Sequence, residues 1–319
     1  MPPGGNPAAH RPIDRIRCSG EMLVAAGHRP LGGATPVLPR RLMTMSLTRI
    51  ERDQLAANKR AWDSWAPIHL ESKFYNVDEF VAGASSLRSI ETSEMGDVRN
   101  KRLLHLQCHF GLDTLSWARL GADTVGVDNS EVAIDIARRL SDEIGVRSDF
   151  LCCDIYELPG PLQLDSFDVV YSSYGVLSWL PELQQWASAA AALLKPGGIL
   201  YLVEFHPLLD MFDEDTGTRF EFPYFDSERK PLVLDGEVSY ADPEADQSTH
   251  TLYQWIHTLG DIVTAVASAG LTIEWLHEFD YSPYGCYPWL RERAHDEYVH
   301  SDIPAAPHAF SVRARKPAP

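Results

Sequence analysis

The run LLHLQCHFGLDTLSWARLGADTVGVDNS, beginning at Leu103, constrains the fold more than any other part of the chain. RLLHLQC has the apolar character of a strand, and GLDTLSWARLGA reads as a helix closed by Gly121. DTVGVD is a second strand, and it ends in Asp128. The same alternation continues with SEVAIDIARRLSDEIG, a helix capped by Ser130 and closed by Gly145, and with SDFLCC and FDVVYSS as strands. PELQQWASAAAALLKPGG reads as a helix with proline at its first position, and GGILYLVEF as the next strand. Strands alternating with helices at this spacing predict a parallel sheet covered on both faces, a doubly wound α/β core.

Flanking segments organise around that core. SLTRIERDQLAANKRAWDSWAPIHL spaces Ile50, Leu55, Ala61, Trp62 and Trp65 as one helical face, stopped at Pro67. After Pro207 the rhythm fails, and an aromatic, acidic, turn-rich stretch suggests a cap of loops and short antiparallel strands. TLGDIVTAVASAG then reads as a helix, LTIEWLHEF as a strand, residues 281–307 as a proline-rich loop, and HAFSVRARKP as a last strand. The expected organisation is a disordered extension at 1–45, an N-terminal helical cap at 46–100, a cofactor-binding core at 101–207, a substrate cap at 208–255 and the rest of the core sheet at 256–319.

The extension carries six arginines against Asp14 and Glu21 and is rich in Pro and Gly, so it lacks the apolar surface to offset its ordering entropy. Its prolines oppose the amphipathic helix of an organellar leader, and translation starting near Met45 is the alternative account.

With 45 acidic against 28 basic residues, the formal charge of -17 repels a polyanionic backbone, and small metabolites are the expected partners. The five cysteines, Cys18, Cys108, Cys152, Cys153 and Cys286, form no CxxC pair and suggest a reducing compartment. No apolar run reaches the roughly 18 residues needed to span a membrane. A cytoplasmic protein is expected, and the sequence leaves monomer and homodimer equally open.

In an open α/β sheet the ligand sits beyond the carboxyl ends of the strands. Gly111 gives the first turn conformational freedom, but Gln107 and His109 crowd a turn that would hold a pyrophosphate closely. That disfavours NAD or FAD and favours a cofactor without phosphates. Asp128 stands where an acid accepts a ribose diol, and Asp154, at the end of the third strand, where a carboxylate accepts an adenine amino group while Ile155 packs on the ring. Either acid alone reads equally well as a helix cap or turn residue; together they favour an adenosine site.

These residues resemble the class I S-adenosylmethionine-dependent methyltransferases, and more narrowly a bacterial small-molecule branch in which LLHLQCHFGLDTLSWARLGA replaces the commoner LDLGCGTG form. The similarity runs from about Asn58 to Lys316 and includes NKRAWDSWAPIH, FYNVDEFVAG, FDVVYSSYGVLSWLPEL, LLKPGGILYLVEFHP and SVRARKP. The chain departs from the common form at His105, where an acid is missing, and at Gln107 and His109, where glycines are missing. The resemblance implies that Gln107, Cys108, His109 and Gly111 line the methionyl moiety of S-adenosylmethionine, Asp128 and Asn129 the ribose, and Asp154 and Ile155 the adenine. Ser172 and Ser173 would lie beneath the sulfonium. It also implies a seven-stranded sheet whose last strand, near 310–315, runs antiparallel between its neighbours.

Methyl transfer from a sulfonium is an in-line displacement, which needs a base only when the acceptor must lose a proton. Glu204 and His206, ending the fifth strand in VEFHP, are the candidate catalytic pair; the competing reading has His206 bonding cap backbone. Tyr75, Tyr174, Trp179 and Trp65 are candidate walls of the acceptor pocket, with core packing as the alternative for each. Tyr224, Phe225 and Tyr240 are candidates from the cap. His105, Cys108 and His109 alternate sides of a strand, so no metal site is expected. The expected function is methyl transfer to O, N or C of a small metabolite. A nicotinamide-dependent oxidoreductase and a catalytically inactive S-adenosylmethionine-binding protein are the rival classes.

Overall fold

The computed structural model describes residues 47–225 and 230–318, so the extension expected at 1–45 lies outside the described residues. The first helix, α1 (Arg49–Glu71), begins at a reciprocal cap in which the Thr48 hydroxyl accepts from the Glu51 amide and the Glu51 carboxylate accepts from the Thr48 amide. The expected stop at Pro67 is overturned, because the helix runs one further turn. Pro67 is exposed and removes one backbone donor, whereas Ala66 and His69 beside it are completely buried. Burying that turn outweighs a proline penalty of about 3 kcal/mol. Ile50, expected on the apolar face, is 69% exposed and lies off it.

Two short helices, α2 (Val77–Val81) and α3 (Ser89–Met95), lead into β1 (Arg102–Leu106), α4 (Leu112–Arg119), β2 (Asp123–Asp128), α5 (Glu131–Ile144) and β3 (Asp149–Cys152). Ser130 caps α5 through its hydroxyl, and Gly145 closes it in the left-handed conformation, as the sequence predicts. The core continues with β4 (Phe167–Ser173), α6 (Leu183–Leu193) and β5 (Leu194–Phe205). Pro181 lies before Glu182, the cap of α6, rather than at the first helical position. A hairpin of β6 (Leu232–Glu237) and β7 (His250–Gln254) follows, then α7 (Leu259–Ser268) and β8 (Thr272–Phe279). The segment expected as a loop at 281–307 contains a second hairpin, β9 (Leu290–Ala294) with β10 (Glu297–His300), before β11 (Ala309–Arg315). Four of the five β9 residues are exposed, so charged side chains hide its strand pattern in the sequence.

The central sheet has seven strands in the order β3-β2-β1-β4-β5-β11-β8. β11 runs antiparallel to both β5 and β8, while the first five strands are parallel. Side chains alternate faces along each strand: Leu104, Leu106, Val170, Leu200 and Leu202 pack beneath Trp186 of α6 and Val266 of α7. Leu103, Val169, Tyr171, Tyr201 and Val203 face the other way, toward Ile90, Met95 and Trp117. Strand order reverses between β1 and β4, which fixes a crevice beyond their carboxyl ends.

The β6–β7 hairpin docks on α1. Asn58 works as a backbone surrogate: its amide nitrogen donates to the Tyr253 carbonyl at 2.7 Å and its oxygen accepts the Tyr253 amide at 2.9 Å. Trp65 Nε1 donates to Asp246 at 2.7 Å, closing the same contact. Replacing the buried Asn58 by Ala strands both Tyr253 groups and is expected to cost about 2 kcal/mol and to speed amide exchange at 252–254. Asn58→Asp should be no better, since a carboxylate cannot donate to the carbonyl. Unchanged melting temperature and exchange in both variants would show that the hairpin is held by other contacts.

Candidate active site

The turn that ends β1 keeps a glycine-like backbone without glycines. Gln107 and His109 have φ of 56° and 50°, and Gly111 has 81°. Each non-glycine residue in this region costs about 1–3 kcal/mol unless neighbours hold it there. They do so through backbone groups: Cys108 N donates to the Val127 carbonyl at 3.0 Å, His109 N to Asp128 Oδ2 at 2.8 Å and Gly111 N to the Cys108 carbonyl at 2.9 Å. Gly111 has no substitute, because a Cβ there would sit 2.6 Å from the Phe150 ring.

Asp128 also accepts the Ser130 amide at 2.9 Å, so its carboxylate joins the turn to the start of α5. Burial raises its pKa, while the amides of Ser130 and His109 pull it back down. With the Asn129 amide also drawn to it, the carboxylate keeps part of its acceptor capacity for a ligand. Beyond the strand ends lies a cavity of about 380 Å³, within the usual range for small-molecule sites. Its floor is Asn129, Cys152, Cys153, Asp154 and Glu157, and its roof is Arg52, Leu55, Ala56 and Lys59 of α1. The strand pairing of β3 ends at Cys152, and Asp154 caps the following 3-10 turn, accepting the Tyr156 amide at 2.9 Å. Ile155 is buried in that turn.

Gln107 leans toward β4, its amide nitrogen donating to the Val176 carbonyl at 3.0 Å, and its Oε1 is buried with no partner among the described residues. Ser172 Oγ is likewise buried and unpaired, whereas Ser173 donates to Asp113 at 3.2 Å. Cys108 is buried beneath the turn, where its Sγ lies 2.9 Å from the place a Gly126 Cβ would occupy.

In the candidate catalytic pair the acceptor groups are already engaged. The Glu204 carboxylate accepts four backbone amides, from Gly175, Val176 at 2.8 Å, Leu177 at 3.1 Å and Phe205 at 2.9 Å. It anchors the loop after β4, and through the Val176 carbonyl it orients Gln107. His206 has both ring nitrogens engaged, Nδ1 accepting the Leu208 amide and Nε2 donating to Glu278, each at 3.1 Å. Because Nδ1 is an acceptor, the lone pair a base requires is already used. Desolvation lowers the His206 pKa, opposed by Glu278.

The candidate substrate residues separate into groups. Tyr75, Trp179 and Tyr240 gather with Trp62 over the turn: Trp62 lies 5.3 Å from both Trp179 and His109, and the Tyr75 and Tyr240 hydroxyls are hydrogen-bonded to each other. Trp65 backs this cluster from the core, stacked on His69. Tyr174 points elsewhere, donating to Glu91 at 2.8 Å. The Tyr224 hydroxyl accepts the Leu259 amide at the start of α7, and Phe225 is 77% exposed against the Tyr224 ring. The expectation from the sequence missed His69. It follows Pro67, where the helix was expected to have ended, so the one available signal was its place in the quoted NKRAWDSWAPIH run. His105 bonds Thr114 at 2.8 Å while His109 faces His69 at 2.9 Å, so the three candidate ligands of the strand do not converge.

Residues 104–202 match a family model described as a methyltransferase domain. The ubiquinone biosynthesis O-methyltransferase of Coxiella burnetii is 29% identical over 160 residues, covering 50% of this chain and 64% of that protein. The enzyme of the same name from Hahella chejuensis is 32% identical over 142 residues, 44% of this chain and 55% of its own. The chain thus spans less than two thirds of the length of these curated relatives. Among solved structures, a SAM-dependent methyltransferase from Methanosarcina mazei superposes with a TM-score of 0.51 at 18% identity, over 73% of this chain and 99% of that one. The [4+2]-cyclase SpnF superposes with a TM-score of 0.53 at 16% identity, over 83% and 98%. Both share the fold, and a methyltransferase beside a cyclase shows that the fold does not settle the chemistry.

Behind the turn, Asp113 accepts from Ser86 at 2.6 Å, Tyr171 at 3.3 Å and Ser173, and Glu91 accepts from Tyr174 and the Arg88 amide. Burial, then the charge of Asp113, pushes Glu91 up to about 7. A carboxyl whose folded pKa is raised stabilises the fold at low pH and loses that contribution as pH rises from its unfolded value toward 7. Glu91→Gln should therefore gain stability relative to the parent between pH 5 and pH 8.5, by at most about 3 kcal/mol. Melting temperatures across that range check the sign; a difference independent of pH would mean that Glu91 is ionised throughout.

Proposed function

We propose that this chain, a member of the class I S-adenosylmethionine-dependent methyltransferases by its domain at residues 104–202 and its fold, transfers a methyl group to an O, N or C atom of a small metabolite. The observation that carries the reading is the state of the β1 turn. Its amides at Cys108, His109 and Gly111 are spent on protein acceptors, and one of those acceptors is a carboxylate. A dinucleotide needs such amides free for its pyrophosphate, whereas a ribose-binding acid at Asp128 would suit either cofactor. A phosphate-free nucleoside with an amino-acid tail avoids that conflict. The left-handed φ of Gln107 and His109 also preserves the shape of the turn, which argues against an inactive relic.

The residues present fit S-adenosylmethionine. Asp128 and Asn129 would hold the ribose, Asp154 and Ile155 the adenine in the cavity under α1, and Gln107 the methionyl end. The unpaired Gln107 Oε1 is an acceptor suited to an ammonium, and a buried acceptor left without a partner costs about 1–3 kcal/mol. When bound, the cofactor supplies an electrophilic methyl on a sulfonium. The chain's contribution is to fix that geometry and exclude water with Trp62, Trp179, Tyr75 and Tyr240. The segment at 208–255 carries twelve acidic against three basic residues, which favours a neutral or cationic acceptor over a polyanion. Among the described residues no helix is long and apolar enough to cross a membrane.

Asp154→Ala is expected to weaken S-adenosylhomocysteine binding about tenfold by calorimetry, in line with one lost charge-assisted hydrogen bond, while the free protein loses only about 1 kcal/mol of capping. NADH should bind neither form. Incubation with methyl-labelled S-adenosylmethionine and a metabolite extract, followed by mass spectrometry, identifies the acceptor. An unchanged affinity in Asp154→Ala, or NADH binding in preference to S-adenosylhomocysteine, contradicts the assignment.

A further inference from the structure

The deepest polar group of the aromatic cluster is an imidazole with one idle nitrogen. His69, in the last turn of α1, has no exposed surface. Its Nδ1 lies 2.9 Å from His109 Nε2, and its own Nε2 is buried with no partner among the described residues. The ring is stacked between Trp65, at 6.2 Å and 26°, and Tyr75, at 5.2 Å and 27°. Trp62 meets it edge-on and Tyr240 lies tilted at 4.8 Å. No side chain of this apolar sleeve satisfies Nε2, although burying it unpaired costs about 1–3 kcal/mol.

His109 ties the imidazole to the turn after β1. It stands two residues beyond Gln107 on the same turn, and its amide is fixed by Asp128. The bond between the rings has two possible directions. If His109 donated, His69 Nε2 would carry a hydrogen aimed at nothing. If His69 Nδ1–H donates, Nε2 presents a bare lone pair to the aromatic cluster of Trp62, Trp65, Tyr75 and Tyr240.

We propose that His69, oriented by His109, is the general base that takes a proton from the methyl acceptor, so that the acceptor atom is a hydroxyl oxygen, a primary or secondary amine or an acidic carbon. The inference rests on the methyltransferase reading and narrows it, because a thioether or tertiary amine has no proton to give. His69 Nε2 receives the acceptor's proton as the acceptor's lone pair forms its bond to the methyl carbon. The electrons of the broken C–S bond stay on sulfur. The products are a methylated acceptor, neutral S-adenosylhomocysteine and an imidazolium whose Nδ1–H still donates to His109.

The groups facing His69 are consistent with this role. On the β6–β7 side they are Tyr240 and Asp246, and Asp246 takes Trp65 Nε1; His250 lies edge-on to Trp65 and bonds Ser64 and Ser248. Tyr75 faces it from the turn after α1, and His109 from the turn after β1. Desolvation, against the weaker opposing charge of Asp246, lowers His69 to about 4, so the ring is neutral at pH 7. Desolvation and then His69 also lower His109.

The test uses the full chain and His69→Asn, which keeps a donor near the Nδ1 position and removes the base. Long-range proton–nitrogen correlation spectra of the parent, which need no acceptor, should show His69 protonated at Nδ1 and bare at Nε2; the reverse tautomer overturns the proposal. S-adenosylhomocysteine should bind parent and variant within about twofold. Failure to bind the parent would defeat the methyltransferase reading itself, a result distinct from loss of the base. With the acceptor labelled from extract, His69→Asn should transfer about 10²- to 10⁴-fold more slowly. The parent's kcat/KM should be level between pH 6 and 8, and the variant's should rise about tenfold per pH unit as the acceptor ionises unaided. A variant retaining more than about a third of the parent rate, or a sulfonium or quaternary ammonium product, overturns it.

Discussion

A single carboxylate organises the carboxyl edge of this sheet. Asp128 takes the amide of His109 from one side and that of Ser130 from the other, so the end of β2 fixes both the turn after β1 and the entry to α5. Charge-assisted bonds of this kind are about twice as strong as neutral ones, enough to help hold two non-glycine residues in the left-handed region. The consequence is chemical as well as structural. The turn amides spent on protein acceptors are not free for a phosphate, so the device that makes Gln107 and His109 tolerable also bears on the class of cofactor.

A second carboxylate repeats the logic across the crevice. Glu204 gathers the amides that follow β4, and the loop it fixes presents the Val176 carbonyl that aims Gln107. Buried anions are costly unless fully hydrogen-bonded, and Glu204, with four amides, meets that condition. Over these two anchored turns lies α1, which roofs the cavity with Arg52, Leu55, Ala56 and Lys59 and brings Trp62, Trp65 and His69 to the aromatic cluster. The helix serves both halves of the site because it continues past Pro67.

Much of this was legible in the sequence. The alternation of strand and helix, the caps at Ser130 and Gly145, and the antiparallel last strand are local patterns that tertiary packing had no reason to override. Asp128 and Asp154 were legible as strand-end acids, and the structure gives each a capping bond, with Asp154 also lining the cavity beside Asn129. The hydrogen bonding of the candidate catalytic pair was not legible. Glu204 and His206 have the right chemistry at the right strand end, but which lone pairs are already used depends on backbone groups at Gly175 and Leu208, and residue types do not encode that. His69 was hidden for a related reason: proline is a reliable helix stop only where no buried face lies beyond it. The β9–β10 hairpin was concealed by charged residues on its exposed face.

The account depends most on the placement of a nucleoside against Asp128 and under α1. A crystal structure of the full chain with S-adenosylhomocysteine measures this directly. The account predicts a ribose diol on the Asp128 carboxylate, the adenine between Asn129 and Asp154 beneath Lys59, and Gln107 Oε1 newly partnered by the ligand's amino group. A nucleoside bound anywhere else, or an Asp128 carboxylate out of reach of the ribose, would contradict it.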